Sequence, residues 1–331
     1  RRPLEAEGRV TEMTGAMQIS SGTALLRAAF EPSGSPKWLV HVLKTHRLDR
    51  KHGIDLEVIW LKDQVKGSLQ SFEIALQEGT ADLVDIDWIS IARHRARGLP
   101  ITAVFPYGRI VGGLVAPHDS PIRDLRDLRG RRIGVVRLLD KNWLIARAAC
   151  QKLYGFDPQE GATIIEALSK SGLVQLLEGG QIDAAFQFWQ LIPPLVATGR
   201  YRQVLDVQDL IRELGVKGKI PITLFTVKEA FAREHPSLLQ GFIGAFCEAA
   251  ELMKADDGIW EEIGREALGG AEPRVLSALR DSWRSRVMIS WNEEIIREIH
   301  SFFEALVRLV GSEVLGLKDI PPGTFSTAFA R

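Results

Sequence analysis

The sequence lacks an excess of either charge. Its 42 basic and 42 acidic residues cancel over 331 residues. A chain without a net field has no overall attraction for nucleic acid or for an anionic membrane. Arginines cluster between residues 123 and 132, but aspartates alternate with them, which indicates a solvated helix face. The sequence therefore predicts no nucleic-acid partner.

Long apolar runs are also missing. No run approaches the roughly 20 residues that a membrane helix requires. The longest uncharged stretch, residues 184–199, contains glutamines and prolines and predicts a strand followed by a loop. The chain begins with Arg1, and no signal-like apolar segment follows. We therefore expect that any export signal was removed or was never present.

Cysteines and catalytic motifs are scarce. Cys150 and Cys247 lie in apolar helical patterns, which predicts buried free thiols rather than a disulfide. The sequence has no phosphate-binding P-loop, no G-x-G-x-x-G after a strand and no G-x-S-x-G elbow. Its 7 histidines show no metal-ligand spacing. These absences argue against the common enzyme classes, and we expect no metal and no cofactor.

What the sequence does contain is an internal repeat. The segments LQEGTADLVDIDW (76–88) and LLEGGQIDAAFQFW (176–189) match in order. KWLV (37–40) and NWLI (142–145) each open a helical pattern after a strand. Strand and helix patterns alternate around both copies, which predicts two lobes on one βαβαβ plan. The stretch Ile110 to Val136 begins the second lobe, and an apolar strand over 219–227 returns to the first.

These patterns predict an α/β fold with two lobes, each a mostly parallel sheet flanked by helices. Two crossing strands form the hinge, and the helical C-terminal part packs on the first lobe. The predicted boundaries are a tail over residues 1–22, the first part of lobe 1 over 23–112, lobe 2 over 113–219, and the return strand with the C-terminal helices over 220–331. The chain is long enough for both lobes to bury a core.

The strand ends predict a ligand site. In open α/β sheets, ligands bind beyond the carboxyl ends of the strands, where helix N-termini present free N–H groups. Two such lobes facing each other define a cleft that can close by hinge motion. The predicted ligand-binding residues are Ser33, Gly34, Ser35, Trp38, Asp63, Gln64, Asp87, Trp88 and Tyr107 of the first lobe, and Arg137, Asp140, Asn142, Trp143, Ser169, Ser171, Gln187 and Trp189 of the second.

Two kinds of residue in this set leave alternatives open. The four tryptophans can enclose a flat or apolar ligand, or each can pack between its own helix and sheet. Asp87 can accept a hydrogen bond from a heterocycle, or it can cap the helix that begins at Trp88. The acidic side chains disfavour a bare anion unless basic neighbours outweigh them.

Two segments carry a family resemblance. EGTADLVDIDW with RARGLPITAV resembles a G-x-A-D segment followed by G-hydrophobic-P-hydrophobic, and DSPIRDLRDLRGRRIGVV resembles a D-S-x-I segment followed by D-L-x-G. Over residues 24 to 310 the chain thus resembles solute-binding proteins of ABC importers for nitrate, sulfonates, taurine and thiamine-precursor pyrimidines. The resemblance implies a type II periplasmic binding fold, a periplasmic or other extracytoplasmic location, and delivery of ligand to a membrane permease.

The combined expectation is a monomeric solute-binding protein, not an enzyme, for an aromatic, heteroaromatic or sulfonate-like ligand, with an ABC permease as partner. The alternative is an enzyme on the same fold, similar to desulfinases, decarboxylases or pyrimidine synthases. Similar desulfinases use a cysteine in the first strand-end loop, which here reads EPSGSPK. Similar pyrimidine synthases carry a cysteine cluster that this sequence lacks. A sensing or scaffold role is a third reading.

Overall fold

The computed structural model describes residues 22–62, 65–66 and 69–331. Nearly all of the predicted tail lies outside these residues. The strands are β1 (Ala24–Phe30), β2 (Ile54–Trp60), β3 (Val65–Lys66), β4 (Leu69–Gln70), β5 (Leu83–Asp87), β6 (Ile101–Gly108), β7 (Gly113–Pro117), β8 (Arg132–Val135), β9 (Thr163–Glu166), β10 (Ala184–Gln187), β11 (Tyr201–Asp206) and β12 (Thr223–Lys228).

Helices cover most of the remaining chain. They are α1 (Pro36–Thr45), α2 (Leu48–Lys51), α3 (Ser71–Glu78), α4 (Trp88–Ala96), α5 (Lys141–Tyr154), α6 (Pro158–Gly161), α7 (Lys170–Glu178), α8 (Ile192–Ala197), α9 (Val207–Glu213), α10 (Glu229–Glu234), α11 (Pro236–Ala255), α12 (Asp257–Glu262), α13 (Pro273–Arg286), α14 (Glu293–Val310) and α15 (Ser312–Leu315). Short 3₁₀ turns cover Leu125–Leu128 and Trp189–Leu191, and Ile263–Ala267 is π-helical.

Two five-stranded sheets form the two lobes. Their strand orders are β2-β1-β5-β12-β6 and β11-β7-β10-β8-β9. β1 runs parallel to β2 and β5, and β8 runs parallel to β9 and β10. β12 is antiparallel to both of its neighbours, and so is β7. The predicted two-lobed α/β fold is confirmed. The pairing is more mixed than strand–helix alternation indicates, because each sheet also includes strands that enter or leave a crossing.

The chain crosses between the sheets twice. It leaves the first sheet after β6 and enters the second at β7, so residues 109–112 form the first crossing. It returns between β11 and β12 through a segment that includes α9. A Cβ at Gly112 would lie 1.7 Å from the carbonyl oxygen of Gln187. This position therefore requires glycine, because the two backbones approach too closely for any side chain.

The internal repeat is visible in matching contacts. Asp82, just before β5, accepts hydrogen bonds from the backbone N of Arg27 at 2.9 Å and from its Nη2 at 2.7 Å. Asp183, just before β10, accepts from the backbone N and Nη2 of Arg132, both at 2.7 Å. In each lobe an aspartate that precedes one strand is thus hydrogen-bonded to an arginine of the neighbouring parallel strand. The matching sequence segments occupy equivalent places in the two sheets.

The helices after β12 hold the molecule together. α11 buries Leu239, Phe242 and Phe246, and Phe225 of β12 packs edge to face on both phenylalanines. α11 lies against α1 and α2 of the first lobe, whereas α13 contacts α8 and α14 contacts α5, which belong to the second. No strand follows β12 in residues 229–331, all of which the structure describes, as the helical periodicity predicts. The C-terminal helices therefore contact both lobes.

Candidate functional site

A cavity of about 90 Å³ lies between the carboxyl ends of the two sheets. Both lobes contribute to its wall, which includes Glu31, Gly34, Ser35, Gln70, Asp85, Asp87, Tyr107, Arg137, Asp140, Lys141, Lys170, Phe188 and Trp189. A larger outer cavity of about 700 Å³ shares Glu31 and Lys170 with it. Together the two cavities follow the interlobe cleft that the strand ends predict.

Helix starts converge on this cleft. Asp87 caps α4 by accepting from the backbone N of Ser90 at 2.9 Å, and Asp140 caps α5 through the backbone N of Asn142, also at 2.9 Å. Ser169 caps α7 in the same way. Such caps leave other N–H groups of the first helical turn free, and the helix dipoles direct positive potential toward the cleft. The site can therefore hold a polar ligand that accepts hydrogen bonds.

Asp85 is the most unusual charge in the cavity. It lies in β5 two residues before Asp87, so both side chains leave the same face of the sheet. Burial raises the pKa of Asp85 to about 7, although Lys170 and Lys141 oppose this effect and Glu31 adds to it. A carboxyl group that titrates near neutrality in a cleft marks a candidate ligand-binding position.

Asp87 behaves in the opposite way. Its burial alone would raise its pKa, but the charge of Lys141, the hydrogen bonds from Ser90 and the charge of Arg93 together lower it. Asp87 therefore stays ionised and is committed to capping α4. Of the two readings of Asp87 in the sequence, the structure shows the cap, and the neighbouring Asp85 is the carboxyl with spare hydrogen-bonding capacity.

An ion pair joins the lobes at the boundary between the two cavities. Nζ of Lys170 in the second lobe donates to the carboxylate of Glu31 in the first. The two side chains are each 13% exposed, so the pair is better shielded from water than a surface salt bridge. Nε2 of Gln190 also reaches the carbonyl oxygen of Ser33, at 3.5 Å. These contacts connect the two lobes across the cleft.

Aromatic side chains form the floor and one wall. The Tyr107 hydroxyl is hydrogen-bonded to Ser35 Oγ at 2.6 Å and accepts from Trp283 Nε1 at 3.2 Å, and burial raises the Tyr107 pKa. Trp189 packs edge to face on Trp38, with ring centroids 5.5 Å apart. Nε1 of Trp189 is buried and has no hydrogen-bond partner among the described residues. An unpaired indole N–H in a cavity wall is available to a ligand acceptor.

The structure divides the predicted ligand-binding residues into four groups. Gly34, Ser35, Asp87, Tyr107, Arg137, Asp140 and Trp189 line the inner cavity. Ser33, Ser169 and Ser171 line the outer cavity. Asp63 and Gln64 lie outside the described residues. Trp38, Trp88, Asn142, Trp143 and Gln187 are buried and line neither cavity.

The buried group has clear packing partners. Trp88 packs edge to face on Phe302 and Phe303, which belong to α14. Trp143 packs on Phe186, and its Nε1 donates to Gln159. Trp38 lies between Trp189 and Trp260. Oδ1 of Asn142 accepts from the backbone N of Gly112, and Oε1 of Gln187 accepts from the backbone N of Phe188. A direct role of these five residues in ligand binding stays a prediction.

Several lining residues are absent from the sequence-based set. Among them are Glu31, Gln70, Asp85, Lys141 and Phe188. Asp85 could have been predicted from the sequence. It interrupts the apolar strand LVDID and lies two positions before Asp87, so both side chains belong to the same face of the strand. Glu31 follows the last residue of β1 and could have been found from the strand-end rule. Lys170 and Glu31 are 139 positions apart, and nothing in the sequence indicates that they form a pair.

Comparison with known proteins places this architecture in a family. A family model described as NMT1/THI5 like matches residues 50–257, which is more than half of the chain. The chain belongs to the NMT1/THI5-like family. No curated protein sequence matches it. No helix in the described part of this family member is long and apolar enough to span a membrane.

Solved structures with the same fold are abundant. The alkanesulfonate-binding protein SsuA from Xanthomonas axonopodis pv. citri, bound to MOPS, has a TM-score of 0.71 at 17% identity, covering 92% of this chain and 98% of its own. The periplasmic aliphatic sulphonate-binding protein SsuA from Escherichia coli has a TM-score of 0.70 at 15% identity, with coverage of 93% and 92%. At these identities the likeness establishes the periplasmic binding protein fold of this NMT1/THI5-like chain.

Proposed function

We propose that this NMT1/THI5-like protein is an extracytoplasmic solute-binding protein. It captures a small organic ligand between its lobes and delivers it, as a monomer, to an ABC permease. The observation that carries the proposal is the polar cavity with walls from both lobes, closed by the Lys170–Glu31 pair. A ligand that contacts both walls stabilises the closed form, and a closed form is a signal that a permease can recognise.

The cavity wall favours a ligand with mixed polarity. Asp85 offers an acceptor, or a shared proton, near neutral pH. Trp189 Nε1 and the ammonium group of Lys141 offer donors on the other side. Phe188 adds an apolar face, although Lys170 and Lys141 lie over its ring at 4.5 and 5.1 Å. We infer a heteroaromatic ligand with an N–H group, or an amino-substituted sulfonate, rather than a bare anion such as nitrate.

Cysteine chemistry is poorly supported, which weighs against a cysteine-dependent enzyme. Cys150 lies in α5 and Cys247 in α11, and both are buried. Burial raises the pKa of Cys150 to about 12 and raises that of Cys247 as well. The reactive form of cysteine is the thiolate, which these environments disfavour. Neither thiol lines the interlobe cavity.

A thermal-shift screen tests the proposal. The probes are aminopyrimidines, aromatic acids, taurine, alkyl and aryl sulfonates, and nitrate. Ligand that binds only the native protein raises the melting temperature, by an amount set by its concentration relative to Kd. We expect a hit that is recovered unchanged after incubation and that compacts the protein in X-ray scattering. Conversion of the hit to a product would instead establish the enzyme alternative.

The Asp85→Asn variant then tests whether the ligand found in the screen binds beside Asp85. It should weaken binding of an N–H ligand at pH 8 at least about tenfold, because a hydrogen bond to a charged group contributes about 1.5–3 kcal/mol. Asp119→Asn is the matched control, because Asp119 is exposed in the turn after β7. Equal affinities of both variants and the parent protein would place the ligand elsewhere.

A further inference from the structure

A third interlobe cavity lies beside the inner one, called the central cavity below, and Arg137 lines both. Its volume is about 250 Å³. The first lobe contributes Arg93, His94 and Arg97 to its wall, and the second contributes Leu138, Leu139 and Leu168. The wall thus combines guanidinium groups on one side with leucines on the other, a combination that the central cavity does not have.

The polar side of this cavity is cationic. Arg93 is only 6% exposed; its Nε donates to the carbonyl oxygen of Leu315 at 2.6 Å and its Nη1 to that of Leu139 at 3.4 Å. Its Nη2 has no hydrogen-bond partner in the part of the chain that the structure describes. A buried N–H group of a guanidinium that lacks an acceptor is costly. An anion supplies the missing acceptor through a charge-assisted hydrogen bond.

The wall contains three arginines, Arg93, Arg97 and Arg137, against two carboxylates, Glu73 and Glu166. Glu73 is paired with His94, whose Nε2 lies 2.8 Å from its carboxylate oxygen, and both side chains are buried. Oε2 of Glu166 accepts from the backbone N of Leu138 at 3.3 Å. The side chain of Arg97, in contrast, is exposed at the end of α4, and its guanidinium directs no hydrogen bond to a described residue. The guanidinium side therefore remains available to a ligand.

The apolar side of the cavity is unusually exposed. Leu138, Leu139 and Leu168 are 37%, 46% and 57% exposed, although leucine is normally buried. Leu168 also has a φ of 61°, in the left-handed region that branched and bulky residues rarely occupy. Three exposed leucines beside guanidinium groups form a surface that matches an alkyl chain with an anionic head.

We propose that this cavity is a second ligand site, which binds a small amphiphile with one anionic head, a carboxylate or a sulfonate, on a short alkyl chain. The head contacts Arg93 and Arg97, and the chain lies on the three leucines. Both lobes form the site, so the amphiphile also stabilises their closed arrangement. The proposal does not depend on which ligand the central cavity binds.

Calorimetric titration of the full chain with octanoate and with hexanesulfonate tests the site. The double variant Arg97→Ser, Leu138→Asp changes two exposed side chains, so the fold should be retained. We expect it to weaken both probes at least about tenfold, because it removes a charge-assisted contact and places a carboxylate against the ligand. Octanol, which has the chain without the charge, should not bind measurably.

The matched control is Arg274→Ser, Leu153→Asp, which makes the same changes at exposed positions outside the cavity wall. It should bind both probes as the parent protein does. The proposal is overturned if neither probe binds, if the double variant binds as well as the control, or if Asp85→Asn in the central cavity abolishes probe binding while the double variant does not. Melting temperatures of all variants, measured without probe, confirm that each is folded.

Discussion

Replacing Asp85 with asparagine keeps the shape of the side chain and removes its charge. Burial raises the pKa of this carboxyl from 3.8 to about 7, so the folded protein holds it neutral at pH 5 and ionised at pH 8. An acid with a raised pKa destabilises the folded protein progressively as the pH rises from its unfolded to its folded pKa. This loss of folding stability begins near pH 4 and is complete above about pH 7.

The size of this loss follows from the two pKa values. The difference between 3.8 and about 7 corresponds to at most about 4 kcal/mol. Asp85 is partly accessible from the cleft, which reduces the cost of its charge. We therefore expect Asp85→Asn to raise the free energy of unfolding by roughly 1–3 kcal/mol at pH 8 and by only about 40% as much at pH 5, where the folded carboxyl is still neutral.

Thermal unfolding at both pH values measures the effect. For a chain of this size the gain at pH 8 should appear as a melting temperature roughly 1–4 °C higher. Asp119→Asn, at an exposed position, should change neither value. A gain of the same size at pH 5 and pH 8, or a loss at pH 8, would show that the Asp85 charge is not the cause and would refute the reasoning.

Three further substitutions test other parts of the structure. Gly112→Ala forces a Cβ against the carbonyl oxygen of Gln187, so its melting temperature should fall, whereas Gly22→Ala, which meets nothing within 4 Å, should not change it. Trp88→Ala removes a fully buried indole and should cost about 3–5 kcal/mol in urea unfolding; a cost below 1 kcal/mol would contradict this packing. Lys170→Ala breaks the ion pair across the cleft, so the ligand-free radius of gyration in X-ray scattering should increase; an unchanged radius would show that other contacts close the lobes.

The fold was largely predictable because its signals are local. An apolar strand, a polar loop and an amphipathic helix each occupy a short window, and the repeated aspartates at 82 and 183 mark equivalent strand starts. The direction and order of the strands were harder to predict from the sequence. β12 inserts between β5 and β6, and this placement depends on the meeting of segments more than 100 residues apart.

The site was predictable in location but not in every residue. The strand-end rule identified Ser35, Asp87, Arg137 and Trp189, because it concerns backbone position alone. It could not distinguish a tryptophan that faces the cleft from one that faces a helix. Trp88 directly follows β5 and Trp189 lies two residues after the end of β10, yet α14 covers Trp88 with phenylalanines from a distant part of the chain. Side-chain direction at a strand end is thus decided by tertiary packing.

The position of β12 also affects the order in which the protein forms during synthesis. The second sheet uses only strands between residues 113 and 206, so all its partners have been made before β12 leaves the ribosome. The first sheet has its β5 and β6 edges open until residues 223–228 arrive between them. The lobe that begins the chain is therefore completed last, and its unpaired edges are the part of the nascent protein that a chaperone would have to shield.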